Sequence, residues 1–338
     1  MPLIILYACT VLLVLSTCCV FLATYSQNAT LSLLENFGKN MWFKNLKLFR
    51  LNPDWTITAQ DLEEKLQANA FVEGSPGQET KLGWVSPLEH SGLVYELGQY
   101  YFLTLQAEKK LLPASVINQF AREKAIEVEE QQGYKPGRKQ MKEIKEMVTD
   151  TLIPKAFSIF RQTRACLDLE KHWLYIDAGT ASKADEVISL LVKALDPVPI
   201  QSFMTEVSPS TAMTEWIFSD EATEGFNIEP QTEFKSTQED RATVRFTNVI
   251  PSQEEVSKHI ESGKVVTKLG LTWRDRVSFV LHDTLEIKRI QALEILDEQR
   301  NPTGADDVER FEADMTLMCK EFSAFLDDLT VALGGEKK

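Results

Sequence analysis

Histidine and cysteine are both scarce in this 338-residue chain, and their spacing excludes the familiar zinc arrangements. The four histidines, His90, His172, His259 and His282, are scattered, with no HExxH and no pair at ligand spacing. Of the five cysteines, Cys9, Cys18 and Cys19 crowd the first 19 residues, while Cys166 and Cys319 stand alone in hydrophobic contexts. No CxxC or Cys/His pattern exists, so a reduced, cytosolic chain with no structural metal and no cofactor is the simplest account. A GxxxxGK loop ending in Ser or Thr is missing, which excludes a nucleotide-driven motor; GxGxxG after a strand and GxSxG are missing too. Carboxylate pairs at Glu129-Glu130, Asp306-Asp307 and Asp327-Asp328 fall on or beside polar helix faces, where solvation explains them. A metal-dependent nuclease needs inward carboxylates on strand ends beside a basic surface, and Asp275 and Asp283 are the candidates. The expectation is a protein that is not an enzyme.

Positive charge is also in deficit. Lys and Arg number 36 against 50 Asp and Glu, a net charge of −14. The distribution decides more than the sum. Residues 196–240 hold 1 cation against 10 acids, and residues 294–338 hold 5 against 12. Residues 241–289 reverse this with 9 against 6, as do residues 134–164 with 8 against 3. Such a chain holds a polyanion only where the two basic islands converge, with moderate and strongly salt-dependent affinity. No cation precedes Lys39, and Pro2 to Tyr25 is uncharged and long enough to cross a bilayer. The run lacks the basic start of a secretory signal. It reads as a membrane anchor that leaves the body cytoplasmic, or as translated upstream sequence before a start at Met41.

The body reads as α+β: antiparallel sheets with packed helices and a projecting helical hairpin. After the extension at 1–40 comes a strand–helix–strand–strand unit at 41–112, with Thr58 capping its helix. The hairpin spans 113–157, turning at Gly133 to Gly137; its second helix sets Met141, Ile144 and Val148 on one stripe and Arg138, Lys142 and Lys145 on another. A central unit follows at 158–203, then an acidic connecting region at 204–240. A basic strand–helix–strand unit occupies 241–292, echoing the order of elements at the start of the body. The last stretch, 293–338, is an amphipathic helix with Val308, Phe311, Met315, Met318, Phe322, Phe325 and Leu329 in strict 3-4 alternation. That seam suits core burial or a homodimer contact.

The stretch from Glu254 to Arg276 carries the sharpest signal. Ser252 and Glu255 make a capping box, Gly263 stops the helix, and a strand starts at Lys264. Taken two residues at a time, one face holds Val265, Thr267, Leu269, Leu271 and Trp273, suited to a core. The other holds Lys264, Val266, Lys268, Gly270 and Thr272, joined by Arg274 and Arg276 if the strand runs straight on. About 13 Å then separates Lys264 from Lys268, a span bridged by a phosphate backbone and not by one small ligand. A solvated outer face and a surface turned toward nucleic acid both fit. In the second reading Arg245, Lys142, Lys145, Lys155 and Arg161 support the four strand cations. Phe157, an aromatic at a loop tip among cations, serves either as a wedge against DNA or as a local anchor.

Several motifs carry a family resemblance: Met41-Trp42-Phe43-Lys44-Asn45-Leu46, Gly83-Trp84-Val85 with Pro87, Glu108-Lys109-Lys110-Leu111-Leu112-Pro113 and Leu152-Ile153-Pro154-Lys155-Ala156-Phe157-Ser158. Thr214-Glu215-Trp216, Gly225-Phe226 and Leu333-Gly334-Gly335-Glu336 add to them, and the longest is His259-Ile260-Glu261-Ser262-Gly263-Lys264-Val265-Val266-Thr267-Lys268-Leu269. In these motifs, ordered across 41–338, the chain resembles the bacterial recombination-associated protein RdgC family. The resemblance implies a homodimer closed into a ring, with duplex DNA held in a positively lined hole largely without regard to sequence. It implies a nucleoid-associated protein that limits access of the RecA recombinase during recombination and replication-fork repair, with direct contact to RecA left open. Single-stranded DNA is a second candidate ligand. Since family members begin near Met41, the resemblance favours the upstream-sequence reading of residues 1–40. One departure stands out: where the family tends to carry basic or amide residues before the helix at Ser252, Arg245-Phe246-Thr247-Asn248-Val249-Ile250 has Arg245 as its one cation. If that stretch forms a gate or dimer contact, its chemistry differs here.

Overall fold

The computed structural model describes residues 42–72, 78–89, 91–197, 199–239, 241–297 and 306–337. The uncharged run at 2–25, the first three cysteines, His90 and the turn at 74–77 lie outside them. Among the described residues no helix is long and apolar enough to cross a membrane. The chain divides into a large unit, Phe43–Asn301 with Cys319–Lys338, and a small one, Met1–Trp42 with Pro302–Met318. The sheet belongs to the large unit.

Antiparallel pairing dominates. The strands are β1 (Asn45–Leu51), β2 (Thr80–Val85), β3 (Tyr95–Leu97), β4 (Tyr100–Lys110), β5 (Ser158–Asp168), β6 (Trp173–Ile176), β7 (Ile200–Ser202), β8 (Phe226–Ser236), β9 (Thr243–Thr247), β10 (Lys264–Trp273), β11 (Val277–His282) and β12 (Ile287–Ala292). They lie in the order β2-β4-β5-β6-β1-β12-β11-β10-β8-β9, with β3 beside β4 and β7 beside β1. Strand β1 splices the two halves. Its first residues Asn45 and Leu46 sit opposite Lys288 and Ile287, and Lys47 to Arg50 sit opposite Ile176 to Trp173.

The helices are α1 (Ala59–Gln67), α2 (Ala114–Gln132), α3 (Arg138–Leu152), α4 (Ala181–Ala194), α5 (Pro209–Ser219), α6 (Gln253–Glu261) and α7 (Asp307–Ala332). Helices α1 and α4 cover one face of the N-terminal half, where Leu62, Leu66, Val187 and Leu191 join Trp84, Leu103, Leu105, Leu167, Leu174 and Ile176 in one core. Helices α2 and α3 meet each other through Ala121, Ala125, Ile144 and Val148, so the apolar stripe of α3 is spent on its neighbour. Gly133, at φ 81°, ends α2 in the left-handed conformation that glycine adopts freely. The end of α7 packs on the opposite face of the sheet. Phe322 meets Tyr175 edge-on, and Phe325 meets Trp273 and Phe279 with ring centres 5.9 and 4.7 Å apart. Phe322, Phe325 and Leu329 are thus core within one chain, which removes this end of the seam from the homodimer reading.

One expectation needs correction. The acidic region at 204–240 is not merely a connection, because it supplies β8, which pairs with both β10 and β9. Pro230 argues against a strand there, since proline cannot donate to a ladder. It is tolerated because the register shifts between Leu269 and Leu271 on β10, and β9 pairs only with residues 231–235. The echo of element order is present, as β1-α1-β2-β3 at one end and β9-α6-β10-β11 at the other, but the strands pair differently. Strand β9 is separated from β10 only by β8, whereas β4, β5 and β6 lie between β2 and β1.

Candidate nucleic-acid interface

Strand β10 does not alternate as a straight ribbon. Val266 pairs with Phe234, and the next paired residue, Lys268, sits opposite Glu233, which leaves Thr267 as an extra residue. Such a bulge inverts the alternation beyond it. Phe234 and Glu233 are neighbours on β8 and point to opposite faces. Lys264 and Val266 therefore share the face of Phe234, while Lys268 lies on the face of Glu233. The Phe234 face is covered: His259 of α6 lies 5.2 Å from the Phe234 ring, and Ser210 and Thr214 of α5 hydrogen-bond the Val266 backbone. Lys264 is half-buried there and donates to Ser262 Oγ at 2.6 Å. The expectation that Lys264 and Lys268 line one face is overturned by that single residue.

Arg274 and Arg276 leave the face as well. Arg274 and Asp275 have φ of 48° and 54°, so the strand ends in a tight turn instead of running on. Arg274 Nη2 lies 2.7 Å from Asp328, and its guanidinium sits 5.0 Å from the Trp273 ring. Arg276 donates to both oxygens of Glu321, at 2.8 and 2.5 Å. Seven residues separate Glu321 from Asp328, which places them on one side of α7. These arginines clamp the C-terminal helix.

What gathers around Lys268 comes from five other strands. On the face left open by α5, α6 and the end of α7, a cleft of about 480 Å³ is lined by Asn45, Gln231, Glu233, Arg245, Lys268, His282, Lys288 and Arg289, among others. Glu233 takes Arg245 Nε at 2.5 Å and Lys268 Nζ at 3.0 Å on one oxygen, and the Thr267 hydroxyl at 3.0 Å on the other. Burial opposes its charge, yet the hydrogen bonds from Arg245, Lys268 and Thr267 hold its carboxyl below the usual range. Glu286 bridges Lys47 at 3.2 Å and Lys288 at 2.8 Å, and burial is again outweighed by those two ammoniums. Arg289 reaches Gln231 at 3.2 Å. His282 is the cross-strand neighbour of Lys268. Burial first, then Lys288 and Lys268, push its imidazole down to about 4, so it is neutral at pH 7. Gly270 keeps the floor low, since a Cβ there would come within 3.1 Å of Glu229 Cβ and 3.2 Å of Gln231 Cβ.

Lys47, Arg245, Lys268, Lys288 and Arg289 thus share one surface with Glu229, Glu233 and Glu286, an excess of positive charge in an acidic chain. Of the expected site residues, Lys268 and Arg245 are here. Lys47, His282, Lys288 and Arg289 were not anticipated, because β11 and β12 bring the last three beside Lys268 only once they pair next to β10, and Lys47 joins only when β1 pairs with β12. The adjacent cations Lys288-Arg289 on a predicted strand were the available signal.

The remaining expected residues lie elsewhere. Arg161 of β5 is bound to Glu186 of α4 at 2.6–2.7 Å, which holds helix to sheet and withdraws it from a ligand surface. Lys142 and Lys145 are exposed on α3, with Glu146 3.5 Å from Lys142, and Lys155 is exposed in the turn after that helix. Phe157 is 84% exposed, so it does not anchor its own loop; Ile159 and Phe160 beside it are half-exposed. Asp275 and Asp283, the carboxylates considered for a nuclease metal, sit at opposite ends of β11, roughly 20 Å apart by strand rise. They cannot share one ion. Among the described residues no group of three or more His, Cys, Asp or Glu side chains is placed to hold a metal.

Residues 41–336 match the family model described as "Putative exonuclease, RdgC". The chain is 50% identical over 298 residues to the recombination-associated protein RdgC of Bordetella pertussis, covering 88% of this chain and 100% of that protein. It is 49% identical over 297 residues to the protein of the same name from Herminiimonas arsenicoxydans, covering 88% and 99%. For the Cupriavidus necator protein the identity is 48% over 298 residues, covering 88% and 100%. With identity near one half sustained over almost the whole of each relative, the chain belongs to the RdgC family of recombination-associated proteins.

Proposed function

We propose that this protein binds duplex DNA without catalysis, through the open face of the C-terminal half of its sheet, and acts in recombination. The observation that carries the reading is the convergence of Arg245, Lys268, Lys288 and Arg289 on one cleft, with Lys47 tied to Lys288 through Glu286, in a chain whose net charge is −14. Sequence is read by donors and acceptors placed against base edges, whereas flexible ammonium groups fit phosphates of any sequence. Binding is therefore largely independent of sequence, and the acidic remainder of the surface suppresses random contacts. Membership in a family named for recombination supports the biological setting, and RecA is the partner whose access to DNA the bound protein limits.

A second copy closes the protein around its ligand in this reading. The exposed apolar group Phe157, Ile159 and Phe160 beyond α3, and Val249 with Ile250 between β9 and α6, are the surfaces offered for that contact. A linear duplex and a small covalently closed circle of equal sequence test it. A ring must open to load on the circle, so association with the circle is slower. Equal association rates on both would remove the ring. The exonuclease description of the family is tested by incubating end-labelled duplex with magnesium or manganese; release of nucleotides that survives repurification would replace the binding role by a catalytic one.

A further inference from the structure

The cleft holds a histidine that plain charge attraction does not require. His282 lies on β11 directly across from Lys268 on β10. Lys288 of β12 approaches from its other side, and Glu286, in the turn before β12, bridges Lys288 to Lys47 of β1. From β8 and β9 come Glu233 and Arg245, and Arg289 lines the same cleft. Half-buried between two ammonium groups, the imidazole stays neutral in the unliganded protein. An anion seated against Lys268 and Lys288 changes this environment. It leaves the burial in place but offsets the repulsion from the two ammoniums and adds an acceptor for the ring proton.

We infer that this cleft is a proton-linked phosphate seat, in which one phosphate group settles between Lys268 and Lys288 and His282 takes up a proton as it binds. The inference rests on the reading of this face as a DNA surface and adds a regulation to it. The sign follows from linkage. Free His282 holds its proton only below about 4, while bound His282 holds it to a higher pH. Between the two values the complex carries one more proton than its separated parts, so binding tightens as pH falls. At most one proton per seat sets a ceiling of about tenfold in affinity per pH unit. The carboxylates Glu233 and Glu286 stay ionised over this range, because both are held below their usual values.

The test measures a labelled duplex by fluorescence anisotropy at fixed ionic strength from pH 8 to 5.5, for the full chain and for His282→Gln. The wild-type affinity rises as pH falls, and the variant is flat while keeping its salt dependence. Sulfate, which keeps both negative charges throughout this range, separates a free anion from the DNA backbone. Calorimetry with sulfate in two buffers of different ionisation enthalpy counts the protons taken up. In case the variant does not fold, the histidine ring resonances of the wild-type protein are followed against pH with and without sulfate, and one of them must shift upward in pKa. Parallel pH dependence in wild type and variant overturns the seat, as does an absence of proton uptake with an anion bound. If duplex does not bind but sulfate binds with a proton, the seat stands and the DNA reading falls.

Discussion

Replacing Lys264 and Lys268 by alanine, one at a time, asks whether the bulge at Thr267 decides which lysine meets DNA. The two are four residues apart on one strand, and without the bulge they would be equivalent. With it, Lys268 faces the cleft and Lys264 lies on the covered face among Ser262 and α6. Taking away one cation that neutralises a phosphate lowers the slope of log affinity against log salt by about 0.9 on duplex DNA. Lys268→Ala should therefore flatten the slope by about 0.9, and Lys264→Ala should leave it unchanged. Adding Lys288→Ala to Lys268→Ala brings the flattening to about 1.8. Between 50 and 200 mM salt, wild-type affinity then falls about tenfold more than that of the double variant. The fold survives, because Glu233 keeps Arg245 and Glu286 keeps Lys47 as partners. For such partly exposed pairs the cost is about 1 kcal/mol or less each. Anisotropy titrations at five or six salt concentrations, with circular dichroism as a folding control, give the slopes. Equal flattening for Lys264→Ala and Lys268→Ala, or an unchanged slope in the double variant, would refute the assignment of faces.

Other perturbations separate binding from scaffolding. Glu233→Gln releases Arg245 and Lys268 from a competing carboxylate, so duplex affinity should rise severalfold in the same assay; weaker binding would mean that Glu233 positions these cations rather than competing for them. Glu233 and Glu286 both have lowered carboxyl pKa values, so their contribution to stability is complete above about pH 4.5 and is lost as pH falls through the lowered values. Urea unfolding between pH 5 and 3 should show a shallower acid loss for the doubly amidated variant. Arg276→Ala leaves the buried end of Glu321 without its two-bond partner and should cost about 2–3 kcal/mol of stability with no change in salt slope. Gly83→Ala places a Cβ 2.5 Å from Phe71 Cα, where the two backbones are bonded through Phe71 and Trp84, and should lower the melting temperature by several degrees or more. Phe157→Ser should leave stability unchanged and weaken self-association in sedimentation equilibrium; an unchanged monomer–dimer balance would release Phe157 from the contact.

Much of the local structure was legible in the chain. Thr58 accepts from the Asp61 amide, and Ser252 and Glu255 close their capping box. The turn at Gly133–Gly137 and the limits of α3 and α4 also follow from neighbours within four residues. The apolar seam of α7 was equally plain, but its use was not, since an apolar stripe does not say whether a sheet or a second molecule will cover it. The candidate site was only half visible. Lys268 and Arg245 stood out on predicted strands, while Lys264, Arg274 and Arg276 looked the same on paper but lie on the covered face or are paired with α7.

The difference lies in the range of the forces involved. Helix caps, turns and the alternation of apolar residues are settled by interactions a few residues long, so the amino-acid order alone determined them. The face a strand presents depends on its partner: one unpaired residue at Thr267 moves Lys268 to the side opposite Lys264, and only the pairing with β8 reveals it. Two pairings far apart in the chain complete the cleft, β1 with β12 and β10 with β8. No local pattern encodes them, because each forms only where a whole ladder of hydrogen bonds and a buried face outweigh the entropy of closing a long loop. Tertiary structure alone therefore decided which cations line the open cleft and which hold the helix on the other face.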